Sequence, residues 1–194
     1  MPNIIVTAFE PFNGRENNTS LEVLKNINIR NVYKKILPVS WDRSRQEITK
    51  LFDLGPDLVI LCGEAGGRKL IALEEKAVNL MNAEIPDNDG EYRKNQKIYD
   101  SVDSYSSNID VYQIANKINE KEELVYVSTD AGRYICNTTY YHTLSIVYGN
   151  TYSTKVVFIH LPVSENEEDV KEKFPRTLEN IIEEIVRKYG IKRF

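Results

Sequence analysis

Short apolar runs alternate with amphipathic stretches along most of the chain, and turn residues separate them. Asn3–Thr7 is β-rich and apolar, and it closes at Glu10-Pro11 and Asn13-Gly14. Thr19-Ser20-Leu21-Glu22 has the spacing of a capping box, ahead of a short helix carrying Leu21, Leu24 and Ile27. Residues 31–39 predict a second strand, placed at a sheet edge by its lysines and Pro38. Asp42 opens a helix with Ile48, Leu51 and Phe52 on one face, and Gly55-Pro56 stops it.

Leu58–Cys62 is apolar at every position, as a strand buried on both faces of a parallel sheet would be. Gly63–Gly67 follows it. Residues 69–85 have no helical period and predict extended structure, ending in the turn cluster 86–90. Residues 91–108, polar and rich in Tyr and Ser, predict a long surface loop. Asp110 with Gln113 caps a helix carrying Val111, Ile114, Ala115 and Ile118. Residues 123–128 and 155–160 predict strands, and 136–148 a helix between them. Ser164 with Glu167 has capping-box spacing. Leu178, Ile181, Ile182, Ile185 and Tyr189 stripe a terminal helix closed by Gly190, with Pro175 dividing the region in two.

Strands alternating with helices predict an α/β fold, a three-layer α/β/α sandwich around a mostly parallel twisted sheet. The length of 194 residues suits a single domain spanning 1–194. Sites in such folds form beyond the carboxyl ends of strands, which selects the loops after Thr7, Cys62, Ser128 and His160.

Composition narrows the chemistry. Lys+Arg total 25 and Asp+Glu 29, a net charge of −4, so no overall basic character points to nucleic acid. No run approaches the ~18 apolar residues of a membrane span, and the first residues lack the basic and apolar regions of a signal peptide. A cytoplasmic setting is the expectation. Two cysteines and two histidines, Cys62, Cys136, His142 and His160, lack the paired spacing of a zinc site or a disulfide framework.

The same scarcity leaves few nucleophiles. Cys136 follows a strand and a small-residue loop and stands at a helix start, where the helix dipole stabilises a thiolate. Cys62 ends an all-apolar strand and reads as a core thiol. A nucleophilic Cys needs a base, usually His. His142 lies six residues after Cys136, roughly 240° around the helix. His160 ends a strand at the edge where sites form and is the better partner. An orienting carboxylate is left open among Glu10, Glu64, Glu74, Glu75 and Asp130.

Several segments together resemble the pyroglutamyl peptidase type I family of cysteine peptidases. These are Thr7-Ala8-Phe9-Glu10-Pro11-Phe12-Asn13-Gly14, Asn18-Thr19-Ser20, Gly63-Glu64-Ala65-Gly66-Gly67-Arg68, Glu74 with Ala77-Val78-Asn79, Ile85-Pro86-Asp87-Asn88-Asp89-Gly90, Ala131-Gly132 with Cys136-Asn137, and Phe158-Ile159-His160-Leu161-Pro162. The resemblance implies a triad of Cys136 as nucleophile, His160 as base and Glu74 as orienting carboxylate. It implies hydrolysis of an N-terminal pyroglutamyl residue through an acyl-enzyme, with Phe9, Phe12, Asn18 and Glu64 at the lactam pocket. It also implies no metal or cofactor, a peptide substrate with a blocked N-terminus, and a homodimer or homotetramer. Five positions depart from the family: Ala8 replaces a Gly, Thr19 a Pro, Arg133 stands where it usually has Thr, and two are acids. Glu64 stands where it has Gln, and Glu84 stands where it has an arginine associated with oxyanion stabilisation. The alternative is therefore a divergent paralogue with an altered substrate or weak hydrolysis. Arg133, three residues before Cys136, is a candidate to supply the cation absent at position 84.

Overall fold

The structure, a computed structural model, describes residues 4–120, 124–150 and 152–192. Asn3 and Glu123, where two expected strands begin, lie outside them. The chain runs β1 (Ile4–Phe9), α1 (Thr19–Asn26), β2 (Val32–Leu37), α2 (Arg43–Phe52), β3 (Leu58–Ala65), β4 (Ile71–Glu74), β5 (Lys76–Val78) and β6 (Ser104–Ser106). It continues through α3 (Val111–Ile118), β7 (Val125–Ser128), α4 (Ile135–Gly149), β8 (Lys155–Pro162), a π-helical turn (Asp169–Lys173) and α5 (Phe174–Tyr189).

Six strands form one sheet in the order β2-β1-β3-β8-β4-β7. All neighbours are parallel except β4 and β8, which pair antiparallel. The edge position of β2 agrees with its lysines. β3, buried along nearly its whole length, runs on through Gly63-Glu64-Ala65. Two apolar clusters cover the sheet. One packs α1, α3 and α5 on the face of Ile4, Val6, Ile60, Cys62 and Ile159. The other packs α2 and α4 on the face of Ile5, Phe9, Leu61 and Phe158. Leu178, Ile181, Ile182 and Ile185 are almost wholly buried. Each contributes about 1.5–3 kcal/mol of burial, so this stripe holds α5 to the sheet.

Caps depart from the expected boxes in two places. Asn18, not Thr19, caps α1, its Oδ1 accepting from Ser20 N at 2.9 Å. The Thr19 hydroxyl instead accepts from Ser164 N, tying the end of β8 to α1. Ser164 accepts from Asn166 N and donates to Asp169, while Glu167 pairs with Lys171, so no reciprocal box forms there. Asp110 caps α3 through Gln113 N as expected.

The polar stretch 91–108 is more ordered than a surface loop. β6 pairs with β5, and Met81 bridges to Gln96. Buried Asn79 staples it: Oδ1 accepts from Ile98 N and Tyr99 N, and Nδ2 donates to the carbonyls of Tyr99, Ser101 and Val102. Asn137, in the second turn-facing position after Ile135, bonds Val78 N with Oδ1 and the carbonyls of Val78 and Leu80 with Nδ2. These two amides lock the segment to α4.

His142 is buried between α2 and this segment. Its Nδ1 lies 2.7 Å from the Tyr99 hydroxyl and its Nε2 2.9 Å from Thr49 Oγ1. Thr49 donates to the Arg45 carbonyl, so Nε2–H is the donor to Thr49 and Tyr99 donates to Nδ1. Burial first, then the Arg45 cation, push the imidazole down to about 4. A native state that refuses a proton the unfolded chain takes up loses stability as pH falls from about 6.5 toward 4, by on the order of 3 kcal/mol. Melting temperature against pH should show this loss, and His142→Gln, which does not titrate, should flatten it. An unchanged slope in the variant would contradict it.

Candidate active site

Cys136 is the second residue of α4, and its neighbours come from three strands. Gly63 opposes His160 in the β3–β8 register, and Glu74 opposes Phe158 in the β4–β8 register. Phe158 and His160 are two residues apart, so they share a face. Glu74 therefore reaches His160 diagonally across the one antiparallel pair of the sheet. His160 Nδ1 lies 2.7 Å from Glu74 Oε1. The bond sets the tautomer: Nδ1–H donates to the carboxylate, and Nε2 is left to accept a proton.

A cavity of about 120 Å³ opens beside Cys136 and His160. Phe9, Phe12, Val39, Tyr134 and Ile135 give it apolar walls, and Asn18 and Glu64 are its other polar residues. Tyr134 is held in place by an edge contact from fully buried Trp41, a tilted contact to Phe12 and a hydrogen bond to the Pro86 carbonyl. Asp87 supports that wall from behind. It accepts backbone N–H bonds from Trp41, Asp89 and Glu91.

Close packing aims the thiol. A Cβ on Gly63 would lie 2.7 Å from Cys136 Sγ and 2.9 Å from Phe158 Cζ. Position 63 thus has no room for a side chain between β3 and the Cys136 sulfur, which only glycine permits. Cys136 is partly exposed toward the cavity, whereas Cys62 is buried on the opposite sheet face.

Electrostatics disfavour charge on both groups. Burial, then Glu74 and Glu64, push the Cys136 thiol up to about 12, against a smaller downward pull from Arg68. Burial lowers the His160 imidazole, partly offset by Glu74. The helix N-terminus alone does not produce a standing thiolate here, because desolvation and two carboxylates outweigh it. Cys136 and His160 line the same cavity, an arrangement in which a thiol can be activated by general-base transfer at the moment of attack.

The two acids that depart from the family pattern are each matched by a cation. Glu64 is buried, ion-paired through Oε1 to Arg15, and its Oε2 accepts from Thr19 N at 2.8 Å. Glu84 does not line the cavity: its side chain is 82% exposed and pairs with Lys94. Arg133 does not line it either, because its guanidinium is held 2.6 Å from Asp130 Oδ1 and by the Gly132 carbonyl. The expectation that Arg133 supplies a cation at the thiol is not met. The arginine beside the triad is Arg68, 2.9 Å from Glu74 Oε1. Asn18 lines the cavity with its amide already engaged, Oδ1 by Ser20 and one Nδ2 hydrogen by the Glu10 carbonyl.

The sequence model of pyroglutamyl peptidases matches residues 2–187. The chain belongs to the pyroglutamyl peptidase family. It is 35% identical over 185 residues to the pyrrolidone-carboxylate peptidase of Thermosipho melanesiensis, covering 92% of each chain. It is 32% identical to that of Thermococcus onnurineus, over 97% of this chain and 98% of the relative. The crystal structure of pyrrolidone carboxyl peptidase from Fervidobacterium islandicum superposes with a TM-score of 0.86 at 27% identity, over 95% of this chain and 98% of that one. The mostly parallel α/β sheet is thus the fold of solved pyroglutamyl peptidases.

Sequence reasoning toward this family's site missed three contributors. Tyr134 is an ordinary aromatic in the chain, and only its edge contact with Trp41 and its packing on Phe12 make it a wall. Val39 enters from the far end of β2. Arg68 sits in the quoted glycine-rich segment, but a charge after a turn carries no signal of its partner.

Proposed function

We propose that Cys136, His160 and Glu74 hydrolyse the amide bond after an N-terminal pyroglutamyl residue. Cys136 Sγ adds to the pyroglutamyl carbonyl as its proton passes to His160 Nε2. The N–H groups at the start of α4, which helix geometry leaves without intrahelical carbonyls, are the donors for the developing oxyanion in this reading. His160 then gives the proton to the leaving amine, and the C–N bond breaks to leave a thioester on Cys136. Water, deprotonated by His160, attacks the thioester and releases pyroglutamate and the free thiol.

The observation that carries the substrate is the state of the acids. Both carboxylates nearest the thiol, Glu64 and Glu74, are bound to arginines, Arg15 and Arg68. A free N-terminal ammonium entering this small apolar cavity would shed its water and find no unpaired carboxylate. A neutral lactam carries no such cost, and its flat ring suits the aromatic walls Phe9, Phe12 and Tyr134. Pairing of Glu64 and Glu84 with cations likewise supports hydrolysis over a silent paralogue.

Initial rates on pyroglutamyl and prolyl aminomethylcoumarin test this reading, since the two rings differ by the lactam oxygen and the charged amine. The pyroglutamyl amide should react at least about 10²-fold faster. Equal rates on the two amides would overturn it.

A further inference from the structure

We propose that Arg68 is a positioning residue of the triad, fixing Glu74 against His160 and tying both to the loop that delivers Cys136. The inference rests on the catalytic reading above and adds a residue to it.

Glu74 has no exposed side-chain surface, and its Oε1 meets both His160 Nδ1 at 2.7 Å and Arg68 Nη2 at 2.9 Å. The guanidinium is itself only 17% exposed and is held on two further sides. Nη2 donates to the Asp130 carbonyl at 3.0 Å, and Nη1 donates to the Tyr126 hydroxyl at 2.9 Å. Asp130 belongs to the loop that leads into α4, and Tyr126 to β7. One planar cation thus spans β4, β7 and the loop before the nucleophile, a geometry that a fixed fork of donors provides and a single ammonium does not.

The physical consequence runs through the placement of Glu74. With Arg68 in position the carboxylate is held where Oε1 meets His160 Nδ1, and without it the carboxylate is free to swing and the imidazole to turn with it. Among the described residues neither Arg15 nor Arg133 replaces it, because Arg15 is bound to Glu64 and Arg133 to Asp130. The charged groups acting on Cys136 are Glu74, Glu64 and Arg68, and those acting on His160 are Glu74 and Arg68.

The test compares Arg68→Gln and Arg68→Lys with the parent in three readouts. These are kcat and KM on pyroglutamyl aminomethylcoumarin, the rate of Cys136 alkylation by iodoacetamide at one fixed pH followed by mass spectrometry, and melting temperature. Arg68→Gln should lower kcat about 10²-fold with KM little changed. Its alkylation rate should fall about tenfold as the cation is lost. Arg68→Lys should restore the alkylation rate but only part of kcat, because an ammonium cannot hold Glu74 and Asp130 together. Parental kcat and alkylation rate in Arg68→Gln, or a fall in melting temperature alone, would overturn the inference. Should Arg68→Gln not fold, Arg68→Lys decides: a lowered kcat with the parental alkylation rate supports the clamp, and a parental kcat refutes it. Alkylation needs no substrate, so slowed alkylation without any pyroglutamyl hydrolysis would sustain the clamp and sink the proposed activity.

Discussion

Cys136→Ala is expected to lower kcat/KM on a pyroglutamyl amide by on the order of 10⁶-fold, the scale seen when a catalytic nucleophile is removed. The substitution deletes one sulfur at the edge of a cavity and leaves the first turn of α4 intact, so the fold and the cavity walls should persist. Nothing else can take over the attack. Cys62 is 1% exposed, lies in the apolar cluster on the other face of the sheet, and burial pushes its thiol well above the ordinary range. His160 has no second nucleophile within its cavity, whose remaining polar residues are Asn18 and Glu64. Cys62→Ala should therefore keep the parental rate. Substantial turnover by Cys136→Ala, measured on protein of parental melting temperature, would remove Cys136 from the mechanism.

The second large effect is expected from adding one methyl group. Gly63→Ala places a Cβ inside contact distance of both Cys136 Sγ and the Phe158 ring. Phe158 cannot yield: it is fully buried, stacked on Phe9 and tilted against Tyr140 and His160. Cys136, on one rotatable bond, is the side chain that moves, and the sulfur leaves its position in the cavity it shares with His160. A displacement of this kind costs about 10²-fold in kcat even though no catalytic group is lost. Overpacking adds about 1–3 kcal/mol of destabilisation. The signature is a low kcat with Cys136 present and chemically free. Parental kcat in Gly63→Ala would show that β3 does not aim the thiol.

The candidate pair, Cys136 with His160, was legible in the chain because so few residues could react. Two histidines and two cysteines, a helix that carries His142 away from Cys136, and an apolar strand around Cys62 leave Cys136 with His160. The structure places both on one cavity. The alternating elements were legible for the same kind of reason, since apolar runs of strand length are hard to mistake when turn residues bound them.

What stayed hidden depends on pairing between distant segments. Glu74 meets His160 only because β4 runs antiparallel to β8 in a particular register, and no local pattern encodes the direction of a neighbouring strand. Arg68 is a charge after a glycine turn, and its partners Glu74, Tyr126 and Asp130 lie 6 to 62 residues away. Buried amides gave no signal either. Asn79, in a stretch read as extended, and Asn137, on a predicted helix, carry no mark of burial in the sequence, yet Asn79 holds the segment 91–108 that polarity alone assigns to the surface, and Asn137 ties Val78 and Leu80 to α4. The acids at 64 and 84 read as obstacles until Arg15 and Lys94 appear beside them in space.

The thioester is the species that separates covalent catalysis by Cys136 from any mechanism in which His160 merely activates water. Rapid acid quench of the protein turning over a pyroglutamyl amide, followed by peptide mass spectrometry, observes it directly. One pyroglutamyl acyl group should be found on the peptide containing Cys136, and none on the peptide containing Cys62. Full turnover with no acyl group on Cys136 at any quench time, or with the group on another residue, would contradict the assignment of Cys136 as the nucleophile.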